Sequence, residues 1–333
     1  MPESRTTDVL IAGQGAAAFA AALYTARYKL NGLVVGDRFG GETAIGGGIE
    51  NYPGYPEIDG FNLMLRFREQ VEKYDLPIVD AAVTAVEDVG DCFLATLSDD
   101  STVRAGAVIF AIGRERRKLN LPHEEAWTGK GVSYCSTCDA PLFRGKVAAV
   151  VGGGSAAVEG AILLDKYTTE TYLIYRGDRF RRPEPVLVDL LEKRQNVHVL
   201  FDTEITELLG DDTAGLTGVK LSKPYEGRDE MVLDGVFIEI GADPRVEIPQ
   251  SLGVELNSET NEIHVDRHMN TNVDGIFAAG DITDGSGTLK QTITAASQGA
   301  VAALAAYQFV SEHSRRCWNH AVGYELGEDV AAD

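Results

Sequence analysis

The chain has 333 residues, 44% of them hydrophobic, with 30 basic and 51 acidic side chains and a net charge of −21. That length suffices for about two domains with buried cores, and so negative a field argues against nucleic acid or an anionic membrane as partner. No run of 18 apolar residues occurs, so no membrane span is expected, and four Cys are too few for a secreted disulfide scaffold, which points to the cytoplasm. Only 10 of the basic residues are Lys. So acidic and Lys-poor a chain fits a cytoplasm of very high salt, as in a halophile, where screening suppresses self-repulsion.

Residues Asp8–Ala12 read as a short buried strand. Gly13-Gln14-Gly15-Ala16-Ala17-Ala18 follows and opens an Ala-rich helix. In such a turn the first Gly permits the tight bend and the second lets a pyrophosphate approach the backbone. The small third residue, here Ala18, allows close helix–strand packing. Free N–H groups and the positive dipole end of the helix suit phosphate. Asn31-Gly32 is expected to end the helix through a left-handed cap. An acid that holds a ribose belongs near the end of the next strand. Val34-Val35-Gly36-Asp37 offers Asp37, slightly late, with an ordinary surface turn as the alternative.

Cys135-Ser136-Thr137-Cys138-Asp139 comes next. A structural zinc site needs four ligands. Only Cys92 and Cys317 remain, both remote, so no metal is expected and the pair reads as redox-active. A two-residue gap lets the cysteines cycle between dithiol and disulfide, with one activated as a thiolate. Asp139 is placed to move the proton that the exchange consumes or releases, or else to cap a helix. Cys92 and Cys317 read as buried small apolar residues.

The strand–glycine turn–helix order then recurs, with Lys146–Val151 as the strand and Gly152-Gly153-Gly154-Ser155-Ala156 as the turn, so two dinucleotides are implied. Past the strand Thr171–Ile174 lies Tyr175-Arg176-Gly177-Asp178-Arg179-Phe180-Arg181-Arg182. This position normally reads the adenosine ribose, and bidentate Arg contacts to a 2′-phosphate would select NADP over NAD. Gly275–Asp281 reads as a strand ending in a Gly–Asp turn, and Lys290-Gln291-Thr292 opens a long Ala-rich helix to about Glu312. Arg114–Pro122 and Ile240–Pro249, rich in charge and turn residues, read as crossings between domains. The expected fold is therefore α/β: two Rossmann-like, three-layer ββα nucleotide-binding domains, the second inserted into the first. The expected boundaries are 1–117 and 244–312 for the outer domain, 118–243 for the inserted one and 313–333 for a C-terminal tail.

In this order, with Gly40-Gly41-Glu42 and Glu50-Asn51-Tyr52-Pro53-Gly54 after the first turn and Ala279-Gly280-Asp281 near the end, the chain resembles the low-molecular-weight thioredoxin reductases. These are FAD-dependent pyridine nucleotide-disulfide oxidoreductases, and the resemblance runs from about residue 7 to 312. Larger relatives such as glutathione reductase place the redox pair soon after the first glycine turn, whereas the first Cys here is Cys92.

The resemblance implies FAD in the outer domain, its diphosphate at Gly13, Gly15 and Ala16. Gly36, Gly41, Glu42 and Asn51 would line the ribityl and flavin side, the backbone at Val83 the adenine. Asp281, after Gly280, would hold the ribityl chain, and Gln291 and Thr292 the flavin edge. NADPH would bind the inserted domain at Gly152, Gly154, Ser155, Ala156, Arg176 and Arg181. Cys138 would face the flavin, Cys135 would attack the partner and Asp139 would serve as acid–base. The implied partner is thioredoxin or a similar small redoxin, and the implied assembly a homodimer. Three departures bear on the donor: Tyr175-Arg176-Gly177-Asp178 stands where His-Arg-Arg-Asp is common, Gly40-Gly41-Glu42 where Gly-Gly-Gln is usual, and Ser155-Ala156 where Asn-Thr or Asp-Ser is commoner. Related flavoenzymes with ferredoxin as donor, or oxygen as acceptor, are the alternative. A flavin-binding sensor without turnover is a third reading, disfavoured by the intact Cys pair with Asp139. In the tail, Trp318 or Tyr324 stacked over the flavin is weighed against a frayed terminus.

Overall fold

The computed structural model describes residues 4–45, 48–90, 92–181, 183–211 and 213–313. The expected roles of Cys317, Trp318 and Tyr324 lie outside the described residues. The described residues form two compact units, drawn from Met1–Ala44, Gly48–Gly113 and Pro244–Asp333 in one case, and from Ile45–Gly47 and Arg114–Asp243 in the other.

In the first unit the strand is longer than the apolar run suggests, Ser4–Ala12, because its polar start pairs residue by residue with Thr102–Phe110. The sheet orders Ile78–Val79, Gly32–Val35, Ser4–Ala12, Thr102–Phe110, Phe93–Leu97 and Val83–Asp88, and Ile276–Ala278 also pairs with Thr102–Phe110. The central strands are parallel and buried on both faces, so Val9, Leu10, Ile11, Val108, Ile109 and Phe110 form one continuous core.

The Ala-rich helices Ala16–Arg27 and Thr292–Glu312 pack closely, since a Cβ on Gly299 would lie 2.0 Å from the Ala17 carbonyl oxygen. Thr292–Glu312 has 21 residues and a mean hydropathy of 1.2 across its most apolar window, long and apolar enough to span a membrane by composition alone. Its small-residue face instead packs on the first helix, with Ala302, Ala303 and Ala306 buried.

The first helix ends differently from the expectation. It stops at Arg27, and the left-handed residue is Lys29 (φ 60°), not Asn31 or Gly32. Asn31 donates its N–H to Asp8 Oδ2 at 2.7 Å, and Gly32 opens the next strand. A Cβ on Gly32 would meet Thr25 at 2.7 Å and Leu76 at 2.9 Å, so Gly is needed there for space.

In the second unit a five-stranded parallel sheet orders Val132–Ser133, Gly235–Ile238, Val147–Val151, Glu170–Ile174 and Val197–Leu200. The period of two along Val147–Val151 sends Ala149 and Val151 to one core and Ala148 and Val150 to another. The first core includes Leu208, Val219 and Leu221 of a three-stranded antiparallel sheet, and the second includes Val158, Ala161 and Leu164 of the helix Ser155–Asp165. Two sheets and a helical layer are thus stacked, the ββα arrangement. The chain segments entering and leaving this unit, Arg114–Arg116 and Ala242–Pro244, pair as a two-stranded ribbon.

Candidate active site

The glycine turn of the first unit joins the strand Ser4–Ala12 to the helix Ala16–Arg27. Gly13 has φ +121°, and a Cβ there would lie 2.2 Å from the Ala111 carbonyl oxygen, so no other residue fits. Gly15 is the N-cap of the helix and supplies no side-chain cap. Nothing lies within 4 Å of where its Cβ would point, so the backbone is open to close approach at a helix start that no side chain caps.

Gln14, between the two glycines, was not singled out by sequence. Its Nε2 donates to the Gly36 carbonyl at 2.7 Å and to Asp80 Oδ1 at 2.8 Å. Its buried Oε1 has no hydrogen-bond partner among the described residues. Nothing in a variable motif position could have revealed this. Open space beside a helix start without a side-chain cap fits the diphosphate end of FAD, whereas the Gln14 Oε1, an acceptor, suits a hydroxyl donor and not a phosphate oxygen.

Of the other expected flavin-side residues, Gly41 borders this turn. The N–H of Gly40 donates to the Gln14 carbonyl at 2.8 Å, and a Cβ on Gly41 would lie 3.4 Å from Gly15 Cα. Glu42 follows, in an exposed ion pair with Arg38 at 3.7 Å. Asn51 Nδ2 donates to Gln291 Oε1 at 3.0 Å, and the hydroxyls of Thr43 and Thr292 are 3.0 Å apart. Gly280 (φ +85°) donates its N–H to Gln298 Oε1 at 2.7 Å, and a Cβ there would lie 3.0 Å from the Ala17 Cβ, so the turn carrying Asp281 borders the first helix. Gln298 is a second residue that sequence reasoning missed. Asp37 is exposed in the turn after Gly36, and Val83 begins the strand three residues beyond Asp80.

In the second unit Cys135 and Cys138 form a disulfide, with Cα atoms 5.3 Å apart. Cys135 caps the short helix Ser136–Asp139, and its Sγ accepts from the Cys138 N–H at 3.1 Å. Cys135 is half-buried and Cys138 exposed. Ser133, also missed by sequence, donates from its hydroxyl to Asp139 Oδ2 at 2.7 Å and accepts from the Cys135 N–H at 3.0 Å. It therefore fixes the Asp139 carboxylate to the same turn as the disulfide. Tyr134 donates to Glu124 Oε1 at 2.6 Å, and burial followed by that bond pushes its pKa well above the usual phenol value. A cavity of about 350 Å³ opens beside Asp139, with Lys130, Ser133, Leu142 and Lys146 in its walls.

The nucleotide turn of this unit repeats the geometry of the first. Gly152 has φ +149°, and a Cβ there would lie 2.2 Å from the Glu239 carbonyl oxygen. Gly154 caps the helix Ser155–Asp165 without a side-chain bond and has open space above it. This again fits a diphosphate. The Arg181 N–H donates to the Gly153 carbonyl at 2.8 Å, and Ser155 Oγ accepts from the Glu184 N–H at 3.1 Å, so the arginine loop is tied to the turn. Ala156, Arg176 and Arg181 are not buried. The Tyr175 ring lies against Gly153 and Gly177, where an added Cβ would come within 2.4 and 2.7 Å of it. The Tyr at 175 and the Gly at 177 are thus one packing solution, the ring filling the space that a side chain at 177 would enter.

The profile of the family described as Pyridine nucleotide-disulphide oxidoreductase matches residues 7–299. A thioredoxin reductase of Mycolicibacterium smegmatis is 39% identical over 316 residues, covering 94% of this chain and 99% of its own. An alkyl hydroperoxide reductase polypeptide of Staphylococcus aureus is 37% identical over 305 residues, which span 91% of this chain but 59% of that protein. Among solved structures, the thioredoxin reductase of Lactococcus lactis matches with a TM-score of 0.85 at 35% identity, covering 92% of this chain and 99% of that one. That of T. acidophilum matches at 0.82 and 33% identity, covering 91% and 98%.

Proposed function

The chain belongs to the pyridine nucleotide-disulphide oxidoreductase family, and we propose that within it this protein is an FAD-dependent thioredoxin-disulfide reductase, passing electrons from NADPH through Cys135–Cys138 to a thioredoxin-like protein. The observation that carries the reading is the Cys135–Cys138 disulfide beside a fixed carboxylate, in the same unit as a glycine turn open to a dinucleotide.

Bound FAD supplies the two-electron relay between a nicotinamide hydride and a disulfide. The residues divide the remaining work. Gly13, Gly15 and the uncapped helix start hold the flavin diphosphate, with Gly36, Asp37, Gly41, Glu42, Asn51, Val83, Asp281, Gln291 and Thr292 around the rest of the cofactor. Gly152, Gly154, Ser155 and Ala156 hold the NADPH diphosphate, and Arg176 and Arg181 its 2′-phosphate.

Two electrons and two protons open the Cys135–Cys138 bond. The N–H of Cys138 points at Cys135 Sγ and favours negative charge on that sulfur, so Cys135 is the thiolate that attacks the partner disulfide. Cys138 then attacks Cys135 Sγ, the mixed disulfide breaks and the partner leaves as a dithiol. Asp139, oriented by Ser133, takes and returns the proton. Thioredoxin has a potential of about −270 mV, so transfer is favourable when the Cys135–Cys138 couple lies below it.

A homodimer and a cytoplasmic location complete the proposal. Anaerobic titration of the purified flavoprotein with NADPH, NADH or reduced ferredoxin tests the donor. Bleaching of the flavin by NADPH, followed by reduction of thioredoxin, is expected. Bleaching by ferredoxin alone rejects the NADPH assignment and the role given to Arg176 and Arg181.

A further inference from the structure

Glu239 directly follows the parallel strand Gly235–Ile238, and its side chain is only 12% exposed. Its Oε1 accepts from the Ser136 hydroxyl at 2.9 Å and from the Ser136 N–H at 3.3 Å. Its Oε2 lies 3.7 Å from an Arg116 guanidinium nitrogen on the strand that enters the unit. Its N–H donates to the Val151 carbonyl at 2.9 Å, and its own carbonyl oxygen lies against Gly152. One residue therefore touches the redox helix, the nucleotide turn and the entering strand, all within the second unit.

The neighbourhood makes room for this contact. Ser136 is 4% exposed and is the first residue of the helix that Cys135 caps. Gly160 faces it, and a Cβ there would lie 2.6 Å from Ser136 Oγ. A carboxylate at this depth is costly unless it is paired and hydrogen-bonded, and Ser136 and Arg116 meet that requirement. Its charge also sits at the start of the helix whose N–H groups serve Cys135, where a negative charge opposes the thiolate. Asp139, held by Ser133, and Arg116 add their charges to the same turn.

We propose that Glu239 is a positioning residue for disulfide exchange: it fixes the redox helix through Ser136 and tunes the stability of the Cys135 thiolate. The proposal rests on reading Cys135–Cys138 as the redox pair and not on which redoxin is the partner.

The test equilibrates the full-length flavoprotein with mixtures of reduced and oxidised dithiothreitol. Two electrons and two protons pass from the reagent to the protein disulfide while the reagent closes its own ring. Alkylation and mass measurement give the dithiol fraction. E239Q keeps an oxygen acceptor for Ser136 and loses the charge. It is expected to shift the equilibrium toward the dithiol by about threefold, the size of one charge at a helix end. S136A keeps the charge and loses the hydroxyl bond. It is expected to slow thioredoxin reduction in kcat more than in KM, without the E239Q shift. An E239Q equilibrium constant equal to that of the wild type, or the same shift in S136A, overturns the proposal. If the wild type itself does not reduce thioredoxin, the partner assignment fails, and the dithiothreitol equilibrium still decides the role of Glu239.

Discussion

Asn51 and Gln291 are hydrogen-bonded at 3.0 Å across 240 residues of sequence. The bond joins the segment after the first glycine turn to the start of the last helix. Gln291 also forms a reciprocal capping box with Thr294. Q291A is therefore expected to cost about 1 kcal/mol through the lost cap and to weaken flavin retention. The flavin-to-protein absorbance ratio after gel filtration measures the second effect. Full flavin content in Q291A would remove Gln291 from the cofactor site.

The two cysteines are expected to behave unequally. C138S should still accept NADPH electrons on the flavin and should trap thioredoxin as a mixed disulfide through Cys135, since the resolving thiol is gone. C135S should trap none. Both should lose thioredoxin turnover by about a thousandfold or more, as expected when a nucleophile is removed. Trapping by C135S instead of C138S would reverse the assigned roles.

Arg176 and Arg181 lie beside the second glycine turn, neither of them buried. If they hold a 2′-phosphate, R181Q should raise KM for NADPH about tenfold, the loss of one charge-assisted bond of ~1.5 kcal/mol, and leave KM for NADH unchanged. Equal effects on both nucleotides would point to a general distortion of the turn.

Asp8 is 4% exposed, and burial raises its pKa from 3.8 to about 6 despite the Asn31 N–H bond that lowers it. The fold therefore prefers the protonated carboxyl. The stability contributed is fully present below pH 3.8 and is lost as pH rises to about 6. D8N stays neutral and keeps an acceptor for Asn31. Its stability relative to wild type should climb by about 2–3 kcal/mol from pH 4 to 7. Urea unfolding at both pH values measures this, and a pH-independent difference would count against it.

The net charge of −21 makes self-repulsion sensitive to screening. Raising KCl from about 0.1 to 1 M shortens the Debye length from about 10 to 3 Å, so Tm should rise. A Tm that does not respond to salt would dissociate the acidic composition from a saline cytoplasm.

Both glycine turns, the Cys pair and the strand–turn–helix order are legible in the linear sequence because each is a local backbone requirement. A positive φ at Gly13 or Gly152, or a two-residue gap between thiols, is set by neighbours a few positions away. The family resemblance was legible for the same reason, since it rests on the order of such local pieces. The end of the first helix was misjudged because Asn31-Gly32 has the composition of a left-handed cap. Packing of Gly32 against Thr25 and Leu76, together with the Asp8 bond, put that pair into the next strand instead.

Residue composition and spacing alone determined that this chain has two turns built for dinucleotides and one exchangeable Cys pair. Tertiary structure alone decided which side chains serve those sites from a distance: Gln14 reaching Asp80, Asn51 reaching Gln291, Gln298 holding the Gly280 turn and Glu239 holding Ser136. Periodicity and motif spacing constrain only a residue's immediate neighbours. A hydrogen bond between remote residues exists only once the sheets have brought their carriers together.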